Sequence, residues 1–134
     1  MKISLELAKK VIEAAKRKAK EMGIPVCIAV VDEGGNLVAF ERMDGAGYGG
    51  INIAIDKAYT AAAFGWPTDE IGKVAQPGGF AFGIANADRG RIMIFAGGIP
   101  LKSGKEIIGG IGVSGGTAPD DKKIAEAGAK VIEK

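Results

Sequence analysis

Apolar side chains near the start of the chain recur with a helical period. Ser4 is a suitable N-cap, and after it apolar residues return every three or four positions as far as Met22. Gly23 and Pro25 follow, and both residue types end helices. The pattern predicts a helix from Leu5 to Met22 with one buried face.

A continuous apolar run at residues 25–32 then predicts a central strand that is covered on both sides. Residues 33–36 have the composition of a turn, and residues 37–43 have the composition of a second strand. We expect the two strands to form an antiparallel hairpin. Because side chains alternate along a strand, Arg42 should share a face with Phe40 and point toward a hydrophobic layer.

The second predicted helix, at residues 51–64, is apolar nearly all round. Asp56 and Lys57 are its only charged residues, and Gly65 and Pro67 end it. A helix of this kind is buried on more than one side. In a domain this small, we expect the additional contact to come from another subunit, and therefore a homo-oligomer.

The remainder of the chain predicts a short helix at residues 68–74, an uncharged loop at 75–87, three strands and a final helix. The strands are predicted at residues 91–96, at 97–101 and from Glu106 onward, and Thr117 is the expected cap of the final helix. With the hairpin, this makes five strands. The order of elements favours an α+β fold with an antiparallel sheet and helices packed on it, rather than a parallel doubly wound sheet.

The last predicted strand is rich in glycine and leads directly into a helix start. Its segment 110–115 matches the Gly-x-Gly-x-x-Gly pattern of dinucleotide-binding proteins. A genuine fingerprint opens a βαβ unit and has an acidic residue about 20 positions further on. The given sequence ends at Lys134 after one helix, so we expect no second strand and interpret the match as accidental. A bare backbone at a helix start still leaves N–H groups free to face an anion.

Composition narrows the possible functions. The 134 residues are 47% apolar, which predicts a single domain spanning residues 1–134. A net charge of +2 is too small to indicate a nucleic-acid partner. The sequence shows neither a signal-peptide pattern nor an apolar run long enough to cross a bilayer, so we expect a cytoplasmic protein without a membrane partner.

The inventory of reactive side chains is short. Cys27 is the only cysteine, which excludes an internal disulfide and a metal site built from several thiolates. The chain contains no histidine, which excludes Ser-His-Asp and Cys-His catalysis and histidine ligation of zinc or haem. We expect no metal site, and the sequence identifies no catalytic residue.

Two cations and two glycine segments are the candidate ligand contacts. Lys57 requires an anionic partner if it points inward, and that partner is either a ligand or a carboxylate of the chain itself; the alternative is that it snorkels to the surface. Arg42 is suited to bidentate carboxylate or phosphate contacts, although Asp44 or Asp32 could pair with it instead. The backbone donors would come from the residues Gly97, Gly98, Ser114, Gly115, Gly116 and Thr117. For these glycines, tight turns and close helix packing are the alternative explanation.

The chain resembles the GlcG/HbpS family of haem-degrading or haem-binding-like domains, which also form the C-terminal part of PduO-type cobalamin adenosyltransferases. The resemblance covers essentially the whole chain. It rests on six motifs: Val30-Val-Asp-Glu-Gly-Gly35, Arg42-Met-Asp-Gly45, Lys57-Ala-Tyr-Thr-Ala61, Gln76-Pro-Gly-Gly79, Gly97-Gly-Ile-Pro100 and Gly112-Val-Ser-Gly-Gly116. It implies a profilin-like fold with a five-stranded antiparallel sheet between layers of helices, assembled into oligomers, and it implies haem or cobalamin as a cofactor.

This chain departs from the family at the iron ligand. Where a family member ligates haem iron through histidine, ligation here would fall to another donor, namely Thr117, Ser114, Tyr48, Met43 or Cys27. We therefore expect loose or absent haem binding relative to a histidine-ligated member.

Three classes of function follow. The first is a non-catalytic protein that binds haem, a corrinoid or a small carboxylate in a pocket lined by the glycine segments, Arg42 and Lys57. The second is an enzyme acting on a small hydroxy or keto acid, with Lys57 as base or Schiff-base nucleophile and Arg42 holding the carboxylate. The third is an assembly or stabilising partner of a metabolic enzyme, which the apolar second helix and the phenylalanines Phe80 and Phe82 would serve.

Overall fold

The computed structural model describes residues 2–132, and within them the chain forms four helices and four strands. The helices are α1 (Leu5–Met22), α2 (Gly50–Phe64), α3 (Thr68–Val74) and α4 (Ala118–Ala129). The strands are β1 (Cys27–Asp32), β2 (Leu37–Arg42), β3 (Gly98–Ser103) and β4 (Glu106–Ser114). Two short 3-10 turns, Ile84–Asn86 and Asp88–Gly90, lie in the connection between α3 and β3.

Local capping determines where α1 begins and ends. The Ser4 hydroxyl accepts a hydrogen bond from the Leu7 N–H at 3.0 Å. At the other end, Gly23 adopts a left-handed conformation with φ of 72°, and its N–H donates to the carbonyls of Ala19 and Lys20. The predicted helix is confirmed at both ends.

The sheet has the strand order β2-β1-β4-β3, and every neighbouring pair is antiparallel. The predicted hairpin is confirmed as β1 and β2. One oxygen of Asp32 holds the turn between them, because it accepts from the N–H groups of Gly34 and Asn36, each at 2.9 Å. The predicted α+β fold with an antiparallel sheet is therefore confirmed.

The predicted strand at residues 91–96 is wrong, and the described residues contain four strands rather than five. The hydroxyl of Thr60 donates to the Arg91 carbonyl at 3.1 Å and accepts from the Met93 N–H at 3.0 Å. The Ile94 carbonyl is pressed against α3, so that a Cβ placed on Gly72 would lie 2.0 Å from its oxygen. This apolar segment is thus fixed against two helices, and a side chain takes the backbone groups that a neighbouring strand would need.

Helices cover both faces of the sheet. Side chains alternate along β1, so that Ile28 and Val30 pack with α1 and α4 while Cys27, Ala29 and Val31 pack with α2. The hydrophobic core is accordingly divided into two layers by the sheet.

The α2 layer is unusually close to the sheet because glycine lies beneath it. A Cβ placed on Gly112 would lie 1.9 Å from the Ala54 carbonyl oxygen, and one on Gly110 would lie 2.3 Å from that of Ala58. Gly98 on β3 has the same relation to the Lys57 carbonyl oxygen, at 2.5 Å. The dinucleotide-like pattern at Gly110 and Gly112 is therefore a packing surface for a helix, and β4 belongs to an antiparallel sheet rather than to a βαβ unit.

Candidate functional site

Lys57 is fully buried and pairs with a carboxylate of the same chain. Its Nζ donates to the Val113 carbonyl at 2.9 Å and lies 3.3 Å from Oδ2 of Asp121, whose side chain is 4% exposed. The centroid of the Phe95 ring lies 4.7 Å from the same Nζ, within the range of a cation–π contact. Of the alternatives that the sequence leaves open for Lys57, the structure shows an internal ion pair.

The second oxygen of Asp121 has a different partner. Its Oδ1 accepts a hydrogen bond from the Gly116 N–H at 2.8 Å. Burial raises the pKa of Asp121 and lowers the pKa of Lys57, because both lose hydration in the charged form. Each charge, together with the Gly116 amide, offsets part of that penalty for the other.

This ion pair connects the two helical layers. Lys57 belongs to α2 on one face of the sheet, and Asp121 belongs to α4 on the other. Glycine provides the space for the connection, since a Cβ on Gly97 would lie 2.6 Å from the Lys57 Nζ. The Gly98 N–H is also occupied, because it donates to the buried hydroxyl of Thr68 at 2.9 Å. Gly97 and Gly98 thus surround the buried lysine, and their place in an open anion cradle stays a prediction.

Arg42 lies at the exposed end of β2, in the same row of the sheet as Ser114. Cys27 on β1 is the direct partner of both residues, and two strand spacings separate Arg42 from Ser114, or about 10 Å. The guanidinium of Arg42 donates to the Ala46 carbonyl at 3.5 Å and lies 5.1 Å from the centroid of the Tyr48 ring. The structure therefore brings Arg42 and Ser114 to one end of the sheet.

The first turn of α2 lies directly over this row. Its cap residue, Gly49, makes no side-chain hydrogen bond, and the N–H groups of Gly50 and Ile51 donate to the carbonyls of Gly47 and Tyr48, each at 3.1 Å. A Cβ on Gly50 would lie 3.4 Å from the Ser114 hydroxyl oxygen and 3.5 Å from the Cys27 sulfur. Ser114 is only 8% exposed, yet within residues 2–132 its hydroxyl has no hydrogen-bond partner. Among residues 2–132 the fully buried side-chain oxygen without a partner is Oδ1 of Asp69, so the Ser114 hydroxyl is open to solvent and is available to a ligand at this helix start.

The residues after Ser114 contact the chain before β1 and the first turn of α4. Gly115 has a φ of 146° and lies against the chain before β1, where a Cβ would be 2.7 Å from the Pro25 carbonyl oxygen. Gly116 is bound to Asp121, as described above. The hydroxyl of Thr117 accepts from the Asp120 N–H at 3.3 Å and caps α4, as predicted. We name residues 114–117 the β4–α4 segment.

Asp121 belongs to the cluster around Lys57, although the sequence did not point to it. Its partner Lys57 is 64 positions away, and nothing in a single sequence indicates a pairing at that distance. The one available signal was an unpaired cation in an apolar helix, which requires an anion somewhere in the fold.

The catalytic alternative for Lys57 finds no support in this geometry. The side chain has no exposed surface, and its ammonium is already in contact with a carbonyl, a carboxylate and an aromatic ring. A base or Schiff-base nucleophile must reach its substrate. The second class of function therefore lacks an accessible catalytic lysine.

Several aromatic side chains are exposed around the loops. Phe80 and Phe82, predicted to lie in an exposed loop, are 84% and 67% exposed, and Tyr48 is 79% exposed.

Among the helices of residues 2–132, none combines the length and the hydropathy required to cross a bilayer.

Comparison with known proteins identifies relatives along nearly the whole chain. Residues 3–130 match the family model described as "Haem degrading protein HbpS-like". An uncharacterised 15.0 kDa protein from the dhaT-dhaS intergenic region of Citrobacter freundii is 42% identical over 124 residues, which are 92% of this chain and 87% of that protein.

Two further relatives are a corrinoid enzyme and a haem complex. The corrinoid adenosyltransferase PduO of Citrobacter freundii is 33% identical over 132 residues, which cover 98% of this chain and 39% of that enzyme. A crystal structure of a PduOC:haem complex superimposes with a TM-score of 0.94 at 31% identity, and covers 99% of this chain and 96% of that one. The chain thus corresponds to well under half of PduO but to nearly all of the haem-bound PduOC structure.

Proposed function

The chain belongs to the HbpS-like family, and from that premise we propose that it is a tetrapyrrole-binding protein, with haem or a corrinoid as its ligand. The likeness to the haem-bound PduOC structure over 99% of the chain is the observation that carries this proposal. The relationship to PduO supports a corrinoid as the alternative ligand.

The end of the sheet around Arg42 and Ser114 offers groups that suit such a ligand. The propionate carboxylates of haem are anions, and Arg42 together with the N-terminus of α2 supplies positive charge at one place. Tyr48 adds an exposed aromatic ring beside Arg42. The unpartnered Ser114 hydroxyl is available for a hydrogen bond. Gly115, Gly116 and Thr117 would form the adjoining wall.

Iron ligation would differ from that of a histidine-ligated protein, since the chain has no histidine. Among the donors expected from the sequence, Cys27 is completely buried and the hydroxyl of Thr117 caps α4. Met43 packs against the core layer of α1 and α4, on the other face of the sheet from Cys27. This leaves Ser114 and Tyr48, both weaker ligands than imidazole. We expect the affinity for haem to depend more on the propionates than on the metal.

Titration of the purified protein with haem, followed by absorption and by native mass spectrometry, tests this proposal. Cob(II)alamin and a panel of small hydroxy and keto acids serve as separate arms that distinguish the ligands. Arg42→Ala should weaken haem binding by roughly tenfold, the effect of losing one charge-assisted hydrogen bond. Arg17→Ala removes an equal charge from the exposed side of α1 and should leave the affinity within about twofold, as expected for a surface charge.

Haem dimethyl ester provides a sharper control because it lacks the propionate charges. Arg42→Ala should then bind the ester as well as the parent protein does. The proposal is refuted if neither haem nor cobalamin gives a bound mass or a spectral change. Equal haem affinities of the Arg42→Ala and Arg17→Ala variants would contradict the assigned site.

Homo-oligomer formation in the cytoplasm is part of the same proposal. The exposed Phe80 and Phe82 and the apolar α2 support a contact between copies of the chain. A net charge of +2 supports a protein without a nucleic-acid partner. The same exposed aromatic residues favour, as a second candidate, a stabilising contact with a metabolic enzyme.

A further inference from the structure

The two oxygens of the Asp121 carboxylate hold different parts of the molecule. Oδ2 lies 3.3 Å from the Lys57 ammonium, and Oδ1 accepts from the Gly116 N–H at 2.8 Å. We propose that Asp121 is a positioning residue, which holds the β4–α4 segment in the conformation that binds the ligand. This inference rests on the proposed function, since that segment carries Ser114.

The β4–α4 segment needs an external anchor of this kind. Gly115 and Gly116 have no side chains, and glycine has the largest backbone freedom to lose on ordering. The conformation of Gly115, with its φ of 146°, is one that residues with a side chain rarely adopt. A hydrogen bond from the next amide to a buried carboxylate therefore limits the freedom of the segment at the point where it turns toward α4.

Lys57 makes this anchor possible without touching the segment itself. A buried carboxylate without a counter-ion is costly, and Asp121 is 4% exposed at its side chain. The lysine reaches it from the opposite layer, through the space left by Gly97. The role of Lys57 is thus to keep Asp121 ionised and in place, which differs from the ligand contact that the sequence suggested.

Two double variants separate the hydrogen bond from the charges. Lys57→Met combined with Asp121→Asn removes both charges but keeps an oxygen that accepts from Gly116. Lys57→Met combined with Asp121→Ala removes both charges and the acceptor. The measurements are haem affinity and the exchange rate of the Gly116 amide hydrogen by ¹⁵N NMR, with Ile12→Val in α1 as a destabilised control that leaves Asp121 unchanged.

We expect the Asn double variant to bind haem within about threefold of the parent and to keep the Gly116 amide protected. The Ala double variant should bind roughly tenfold more weakly, with exchange faster by a similar factor, as expected for the loss of one hydrogen bond. Ile12→Val should change neither quantity by that much. Equal haem affinity and equal Gly116 exchange in the two double variants would overturn the positioning role.

Two other outcomes are equally decisive. If the Ala double variant does not fold, the Asn double variant decides, because a tenfold loss of haem binding with the Gly116 amide still protected would show that the hydrogen bond to Gly116 does not set the affinity and would overturn the positioning role. If the parent protein binds no haem, the proposed function fails while the Gly116 exchange rates still confirm or refute the anchoring of the segment by Asp121.

Discussion

Replacing Gly112 with alanine tests whether the glycines of β4 exist to admit α2. The added Cβ would lie 1.9 Å from the Ala54 carbonyl oxygen and 2.5 Å from the Ala58 nitrogen. Both contacts are with backbone, so no side-chain rotation relieves them. A tolerable carbon–oxygen approach is about 3.3 Å, so α2 and β4 must separate by roughly 1.4 Å.

The cost follows from what that separation does to the α2 layer. A gap of 0.5–1 Å already loses about a quarter to a half of the dispersion energy of a contact. The contacts at risk belong to a closely packed set of small residues on α2, including Ala54, Ala58 and Ala61. Overpacking of a core costs about 1–3 kcal/mol. Because the added Cβ on β4 meets backbone atoms of α2, which cannot rotate away, we expect a cost at or above the upper end of this range. We expect a loss of about 3 kcal/mol from a total of roughly 5–15 kcal/mol.

Urea unfolding followed by circular dichroism measures this loss. Gly112→Ala should lower the midpoint at an unchanged slope, and the melting temperature should fall by on the order of 10 °C. Gly47→Ala is the matched control: a Cβ there meets nothing within 4 Å, and we expect a change within about 0.5 kcal/mol. If Gly112→Ala is within about 1 kcal/mol of the parent, the close-packing explanation is wrong and a role for this glycine at a ligand becomes the better one.

Two further predictions concern the buried thiol and the assembly. Burial raises the pKa of Cys27 above its ordinary value of 9.0, so the thiol of the unfolded chain loses its proton at a lower pH than the thiol of the folded chain. The stability that comes from burying the neutral thiol is therefore lost as the pH rises past about 9. Urea unfolding at several pH values should therefore show the stability of the parent falling relative to Cys27→Ala in alkaline solution, whereas parallel curves would contradict a buried neutral thiol. Size-exclusion chromatography with light scattering should give a mass that is a multiple of 13.7 kDa, and a monomer would remove the argument that another copy covers α2.

Elements with strong local signals could be predicted from the sequence. The first helix has a cap residue, a clear apolar period and a glycine that ends it, so its two ends follow from neighbouring residues alone. The hairpin follows from two apolar runs around a turn that Asp32 stabilises locally. The segment at residues 91–96 has an equally apolar pattern, but its backbone is bound by Thr60, some 30 positions away.

The candidate site likewise combines residues that the sequence indicates with contacts that it does not indicate. Arg42, Lys57 and the β4–α4 segment could be recognised as unusual residues for their positions. Their partners could not be predicted. Lys57 pairs with Asp121 through the gap left by Gly97, and Arg42 is aligned with Ser114 because both are paired with Cys27. Such pairings depend on strand register and on helix placement, which are long-range properties.

By itself the sequence determined the family, the α+β class, the positions of the helices and the exclusion of every mechanism that needs histidine. These conclusions rest on residue identity and on short-range periodicity, which are present before the chain folds. Only the tertiary structure decided that Lys57 is neutralised from the opposite layer, that Gly110 and Gly112 admit a helix, and that the Ser114 hydroxyl has no partner in the described chain. The physical reason is that burial and the choice of a counter-ion arise when distant segments meet and exclude water.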